Sequence, residues 1–472
     1  MFHVKHFAKS PNSDVMLSFY DERPKMTGET FNDTIFALAT PPGRSAIAII
    51  RISGQNAAQA ASAFHVTCPK SGNFAMRRLI DGADQPVDEV LILYMQAPAS
   101  PTGEDVLEIH CHGSQAVQAM ILERLAQIDG FRPALPGEFT RRAFGNDKFD
   151  LSGVEGLADL IDAKTPAQLH QAWAQLDGAL RKPVTAWRDT LIGLAGQLEA
   201  LIDFADEDLP ESVEAALRAS TETLITDIAA IIADNGAGEV IRDGVQVALL
   251  GSVNAGKSTA LNAISGRDAV ITSAEAGTTR DIVSVKMDMG GVPVTFMDTA
   301  GLREGAGAVE AEGIRRARQA GRDADFGLII LDGSDAAWPE HLAEISTLTG
   351  GKHLIVLNKR DAGLVGTVPE DALHLSLHEG SDIETLIAAI TKAIIPFNQD
   401  SQSAIITRAR HRDALVGAMQ SLERGLTHDF DAQPELAAED FRMAATALGR
   451  ITGKIDVEDL LGSIFSSFCI GK

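Results

Sequence analysis

Three short stretches of this 472-residue chain could together hold and cleave a nucleoside triphosphate. "GSVNAGKS" at 251–258 follows an apolar run and precedes a helical one, the context that the G-x-x-x-x-G-K-S/T pattern requires. Backbone N–H groups of such a loop and the following helix N-terminus cradle phosphates. Among Asn254, Ala255, Gly256, Lys257, Ser258 and Thr259, Lys257 is expected to reach the terminal phosphates and Ser258 to bind Mg²⁺. "DTAG" (Asp298, Thr299, Ala300, Gly301) ends another apolar run, with Asp298 expected near the magnesium and the Gly301 N–H near the γ-phosphate. "NKRD" at 358–361 follows "HLIVL". Alongside Asn358 and Lys359, Asp361 can accept from both N1–H and the 2-amino group of guanine, a pattern adenine cannot supply, so the nucleotide is read as GTP. Thr279 in "GTTRD" offers a second hydroxyl to Mg²⁺. The residue after "DTAG" is Leu302, not a glutamine that would orient water, which leaves Glu304, Glu310 and Glu312 as acidic candidates, each equally readable as a solvated charge.

Such loops need rigid carriers. From about 244 to 395, "VQVALLGS", "VPVTFMDT", "FGLIILDG" and "HLIVLNK" alternate with helical stretches, which predicts a doubly wound, mainly parallel sheet. From about 32 to 145, "AIAIIRISG", "DEVLILYM" and "DVLEIHCHG" are separated by Pro/Gly turns, an α+β composition. Helical periodicity runs from about 150 to 235, where Pro183 is expected to end or kink one helix, and returns after about 402. The fold class is therefore multidomain α+β and α/β. Its expected parts are an extension at 1–31, an α+β domain at 32–148, a split α-helical domain at 149–243 and 397–472, and an inserted doubly wound α/β domain at 244–396.

With 45% hydrophobic and 22% charged residues the chain is globular in composition. Its net charge of −24 argues against indiscriminate nucleic-acid binding, so any RNA contact must be local or shared with a partner. The arginine clusters "TRR" at 140–142, "IRRAR" at 314–318 and "TRARHR" at 407–412 are read as solvated helix faces. Three cysteines, Cys68, Cys111 and Cys469, have no metal or redox spacing, and apolar runs are strand-length, which predicts a cytoplasmic protein with no membrane span. Residues 1–31 read as a tail or as sequence upstream of a true start at Met26, because "FHVK" can be encoded by TTTCACGTGAAA, its own reverse complement, which resembles a bacterial chromosome-partition site. An intact Met1 peptide in natively expressed protein would exclude that start.

Together with "TPPGRSAIAIIRISG", "TGEDVLEIHCHG", "PGEFTRRAFGNDKFDLSGVEGLADLIDA", "AGTTRD" and the closing "FCIGK", these motifs cover nearly everything after residue 32, and the chain closely resembles the bacterial MnmE (TrmE) family of tRNA-modification GTPases. The resemblance implies that GTP hydrolysis, with a flavin-dependent partner, MnmG, drives addition of a carboxymethylaminomethyl or aminomethyl group to carbon 5 of the wobble uridine of certain tRNAs. A tetrahydrofolate derivative, 5-formyl or methylene, supplies the carbon. It also implies a homodimer, a folate-binding and dimerisation role for the 32–148 domain, and K⁺ where other GTPases use an arginine finger. By motif, Asn254, Ser273, Thr278 and the backbone carbonyl of Glu275 fall on the K⁺ ligands, and Glu310 on the glutamate that orients water indirectly. Arg51, Glu108, Lys148 and Lys472 fall on folate-contacting positions; a carboxylate suits the donor-rich edge of a pterin, and basic groups suit its carbonyl or glutamyl tail. In the guanine loop the family reads Ser-Ala, whereas this chain has Ser376-Leu377, so the backbone contact to the base is expected to persist with altered packing.

Cys469 keeps three readings: a lipidation box, for which Lys472 is a poor last residue; incidental packing of a terminal helix; and a thiol beside the one-carbon transfer as nucleophile, acid or positioner. The competing functions are a ribosome-assembly or signalling GTPase, which shares only the central motifs, a folate-dependent transferase whose GTPase is merely regulatory, and a dimerising scaffold.

Overall fold

A computed structural model describes residues 32–203, 211–233, 236–252, 254–266, 284–298, 319, 322, 324–347, 352–394, 405–453, 464–465, 468 and 470–471. The chain divides into two compact units, Met1–Glu155 with Gly453–Lys472, and Gly156–Thr452.

The first unit is built on strands β1 (Thr34–Leu38), β2 (Ser45–Ser53), β3 (Phe74–Ile80), β4 (Pro86–Met95), β5 (Val106–Gly113) and β6 (Phe131–Pro133). They form one sheet in the order β3-β4-β5-β2-β1-β6, antiparallel except for the β1–β6 pair. Helices α1 (Gln59–Ser62) and α2 (Gln115–Ala126) join the core on one face, where alternate residues such as Ile50, Ile52, Val90, Ile92, Leu107 and Ile109 are fully buried. Each such side chain contributes about 1.5–3 kcal/mol by leaving water. Helix α3 (Glu138–Gly145) adds Phe139 to a smaller cluster with Ile35 and Ala37 of β1. Helix α4 (Leu151–Asp162) carries the chain out of this unit.

The second unit continues with α5 (Pro166–Leu176), α6 (Arg181–Asp203), α7 (Glu211–Ile232) and α8 (Ala237–Asp243). A sheet then follows, built from β7 (Val245–Leu250), β8 (Ser284–Met289), β9 (Val292–Asp298), β10 (Phe326–Asp332), β11 (His353–Asn358) and β12 (Ala372–His374). Between these strands lie α9 (Lys257–Ser265) and α10 (Trp338–Ser346); α11 (Gly380–Ile394) follows the last strand, and α12 (Ala409–Thr427) and α13 (Pro434–Thr452) complete the unit. The strand order is β12-β11-β10-β7-β9-β8, parallel apart from the β8–β9 hairpin. Apolar clusters cover both faces, as expected of nearly continuous apolar strands. The helices before and after the sheet share one core, which includes Leu191, Leu198, Leu415, Phe441 and Leu448. Both ends of the insertion are fastened to one carboxylate. Asp159 on α4 accepts from Arg242 Nε at 3.0 Å, at the end of α8, and from Arg408 at 2.8 and 3.0 Å, just before α12.

Three local expectations change. Pro183 neither ends nor kinks a helix; it lies in the first turn of α6, where its missing N–H has no intrahelical partner to lose. "TRR" is not a solvated face, because Arg142 is fully buried among carboxylates, Glu138 of its own helix and Asp33 and Glu104 from distant segments. "TRARHR" likewise turns inward through Arg408 and the buried His411. "IRRAR" lies outside the described residues. Among the described residues no helix is long and apolar enough to cross a membrane.

Candidate functional site

Strand β7 is central, with β9 on one side and β10 on the other, so the chain reverses its winding direction at the carboxyl end of β7. Open α/β sheets bind ligands at that crevice. Here it holds the 251–256 loop and the N-terminus of α9. Gly251 passes so close to the Ile330 carbonyl that a Cβ has no room. Gly256, at φ +105°, presses against the Asn358 amide in the same way. Asn254 also takes a left-handed conformation, φ 61°. Lys257 is 7% exposed, and its ammonium donates to the carbonyls of Gly251 at 2.8 Å and Ser252 at 2.7 Å, which places its charge inside the loop. Ser258 occupies the first turn of α9 and is exposed, as a hydroxyl offered to Mg²⁺ should be.

The base-reading segment is tied directly to this loop. Asn358 Nδ2 donates to the Ala255 carbonyl at 2.8 Å, and Asn358 Oδ1 accepts from the Leu377 N–H at 3.0 Å. Asp361 is exposed, with Oδ1 accepting from Ser376 Oγ at 2.9 Å. The Leu377 side chain is buried and points toward Gly256. Lys359, at φ 64°, pairs with Asp332 Oδ2 at 2.6 Å. Burial alone would raise the Asp332 carboxyl; the Lys359 ammonium together with the hydroxyl and amide of Ser334 outweighs it and holds the group below the ordinary carboxylate range. Sequence reasoning missed Asp332, although its place at the end of β10, beside the end of β11, was a usable signal. Asp298 ends β9 as anticipated. Ser273, Glu275, Thr278, Thr279, Thr299, Ala300, Gly301 and Glu310 lie outside the described residues.

In the first unit, Arg51 of β2 and Glu108 of β5 are register partners. Arg51 Nε and a terminal nitrogen donate to Glu108 Oε1 at 2.9 and 2.8 Å, and Glu108 Oε2 meets His110 Nε2 at 3.1 Å. The Arg51 guanidinium also lies 5.9 Å from the Phe139 ring centre. Glu108 retains acceptor capacity beyond these bonds, and an acceptor is what the donor-rich edge of a pterin would require. Lys148 is exposed and donates to the Pro98 carbonyl at 2.8 Å. Cys469 and Lys472 lie outside the described residues. Their neighbours are anchored in this unit: Phe465 and Phe468 are buried, Gly137 packs on the Phe465 backbone, and Gly471 packs on the backbone of Leu38 and Ala39. Since Ala37 pairs with Arg51 in the sheet, the tail reaches the sheet beside the Arg51–Glu108 pair. Cys111 faces the core, away from His110 and His112, and burial, helped by the Asp88 carboxylate, pushes its thiol up to about 11. It is protonated at neutral pH and carries no nucleophile. His110 is partnered by Glu108 and His112 by Asp88, so the two rings hold different carboxylates.

The arrangement around β7 can hold a triphosphate on backbone amides and a buried lysine while a carboxylate reads the base. Two protein-family models match the chain. The model of the GTP-binding protein TrmE N-terminus matches residues 34–148, and that of the MnmE helical domain matches 151–469. A tRNA modification GTPase MnmE of Parvibaculum lavamentivorans is 47% identical over 447 residues, covering 93% of this chain and 100% of that one. Those of Paramagnetospirillum magneticum and Phenylobacterium zucineum are 43% and 42% identical, with the same coverage. Among solved structures, the G domain of the T. maritima FeoB iron transporter is similar at 22% identity over 32% of this chain and 98% of that one, with a TM-score of 0.25.

Proposed function

Since this chain belongs to the MnmE (TrmE) family of tRNA modification GTPases, we propose that its GTP hydrolysis drives a folate-dependent carbon-5 modification of the wobble uridine of certain tRNAs. Its class is GTP hydrolase in tRNA modification. The observation that carries the mechanism is the bond from Asn358 Nδ2 to the Ala255 carbonyl, which makes the base-reading and phosphate-holding loops one rigid site. In that site Lys257 and the amides of α9 would neutralise the phosphates, Ser258 and Thr279 would hold Mg²⁺, and Asp361 would read guanine. Asn254, Ser273, Thr278 and the Glu275 carbonyl would hold K⁺, which would supply the positive charge that an arginine finger supplies elsewhere. Glu310 would orient the attacking water indirectly.

The folate derivative is assigned to the first unit, with Glu108 on the pterin edge and Arg51, Lys148 and Lys472 as basic contacts. The anchoring of Phe468 and Gly471 beside β1 supports bringing Cys469 to the same place. The second part of the helical domain is proposed as 397–472, in keeping with the family model that runs to residue 469, although Gly453–Lys472 group with the first compact unit. The homodimer is supported by the open outer face of the first sheet, where Phe74, Met76 and Ile47 are 62–70% exposed. MnmG is the proposed heteromeric partner, and the cytoplasm the proposed compartment.

The test is GTP hydrolysis by the full chain in K⁺ and in Na⁺ at equal ionic strength. Stimulation by K⁺ of about tenfold or more is expected, lost in Asn254→Ala, with Glu310→Ala slow in both salts. Equal rates in both salts would remove the K⁺ loop from the account.

A further inference from the structure

The "NKRD" segment carries two basic residues, and both are held by carboxylates. Lys359 is held by Asp332, as described above. Arg360 reaches Asp382 Oδ2 at 2.9 Å and the exposed Glu379 at 3.0 Å. Asp382 is 5% exposed, in the first turn of α11, and the same Oδ2 also accepts the buried Ser376 N–H at 2.6 Å. The Ser376 hydroxyl in turn donates to Asp361 Oδ1 at 2.9 Å.

A carboxylate that reads guanine must present both oxygens in the plane of the base, yet rotation about its terminal bond is soft. The Ser376 hydroxyl fixes that rotation, and it can do so only if the Ser376 backbone is itself fixed. Asp382 fixes it from beneath, through the N–H, and at the same time holds Arg360, the residue next to Asp361 in sequence. A buried charge-assisted bond of this kind is among the stronger polar contacts, and removing its acceptor strands a buried donor.

We propose that Asp382 is a positioning residue for base specificity. Acting through Ser376 and Arg360, it aims Asp361 at guanine. This rests on reading Asp361 as the base-reading carboxylate. Asp382 touches no ligand, and its effect falls on the contact that needs both Asp361 oxygens, the one involving the guanine 2-amino group.

The experiment is titration calorimetry of the full chain with GDP and with IDP, which lacks the 2-amino group. Asp382→Ala is expected to raise the GDP dissociation constant about tenfold and that of IDP by less than about threefold, so that discrimination shrinks. Asp382→Asn, whose amide oxygen still accepts the Ser376 N–H, is expected to lose about a third as much and serves if the alanine variant does not fold. Glu379→Ala is expected to match wild type. Equal weakening of GDP and IDP in both Asp382 variants, or no weakening, would overturn the proposal. Asp361→Asn, run alongside, is expected to abolish discrimination; if it does not, the reading of the site itself falls, a result distinct from failure at Asp382.

Discussion

Lys257→Ala is expected to lower kcat/KM for GTP hydrolysis by about 10³-fold, about 4 kcal/mol of transition-state stabilisation. The ammonium is buried where β7 ends, donating to the carbonyls of Gly251 and Ser252, so the 251–256 loop is already folded around a positive charge. A triphosphate brings several negative charges to this point, and negative charge spreads over the transferring oxygens as the bond to the γ-phosphorus loosens. Backbone amides at the α9 N-terminus contribute only partial charge. Lys257→Arg is expected to be impaired almost as strongly, because a planar guanidinium cannot place one compact charge between two carbonyls of a tight loop. Steady-state rates at several GTP concentrations, with thermal melts of both variants, check this. A comparable rate loss accompanied by unfolding of the second unit would assign the residue to loop stability instead.

The second large effect concerns the first unit. Arg142→Met is expected to cost about 3–5 kcal/mol, the usual penalty for stripping one partner from a buried ionic cluster. The Arg142 guanidinium is fully buried and binds Asp33 at 2.7 Å, Glu104 at 3.2 Å and Glu138 at 3.1 Å. Without it, Asp33 and Glu138 are left to Arg132, and Glu104 loses its guanidinium partner. In the full chain the loss reads as amide exchange at least about 10²-fold faster in β1, β2 and β5. Arg78→Ala, which removes an exposed pair with Glu89, is expected to change exchange there by less than about threefold. The pH dependence follows from the same cluster. For Asp33 and Glu138, burial alone would raise the carboxyl, but the arginines outweigh it and both groups sit below their ordinary values. A depressed folded-state value means stability that is full above the unfolded-state value, near 4, and is lost as pH falls through the folded one. The wild-type unit should therefore weaken below about pH 4, and the gap to Arg142→Met should narrow there, because protonation relieves the carboxylates that the variant leaves uncompensated.

The phosphate and base loops were legible because their chemistry is local: each is a run of a few residues at the end of an apolar strand, and β5, β7, β9, β10 and β11 all appear where such runs predicted them. The edge strands were not. β3, "FAMRRLI", places adjacent arginines on opposite faces beside exposed Phe74 and Met76, and β8, "SVKMDM", alternates Lys286 and Asp288 with buried Met287 and Met289, so neither has the apolar signature of a central strand. Long-range pairing was equally hidden. Arg51 and Glu108 are 57 residues apart and meet only through the β2–β5 register. Arg408 finds Asp159 249 residues away, and Arg142 finds Asp33 109 away, which is why both arginines read as solvated. Only the family resemblance singled out Arg51 and Glu108, because a charged residue in a strand gives no local sign of its partner.

On the proposed function, hydrolysis of GTP in the second unit powers folate-dependent chemistry on tRNA. The most direct measurement is reconstitution of the full chain with MnmG, unmodified tRNA, methylene-tetrahydrofolate, K⁺ and Mg²⁺, with wobble nucleosides quantified by mass spectrometry. With GTP, a carbon-5-modified uridine should accumulate, whereas a non-hydrolysable GTP analogue should leave the uridine unchanged. Full modification with the analogue would contradict the account, because GTP binding alone would then suffice and hydrolysis would power nothing.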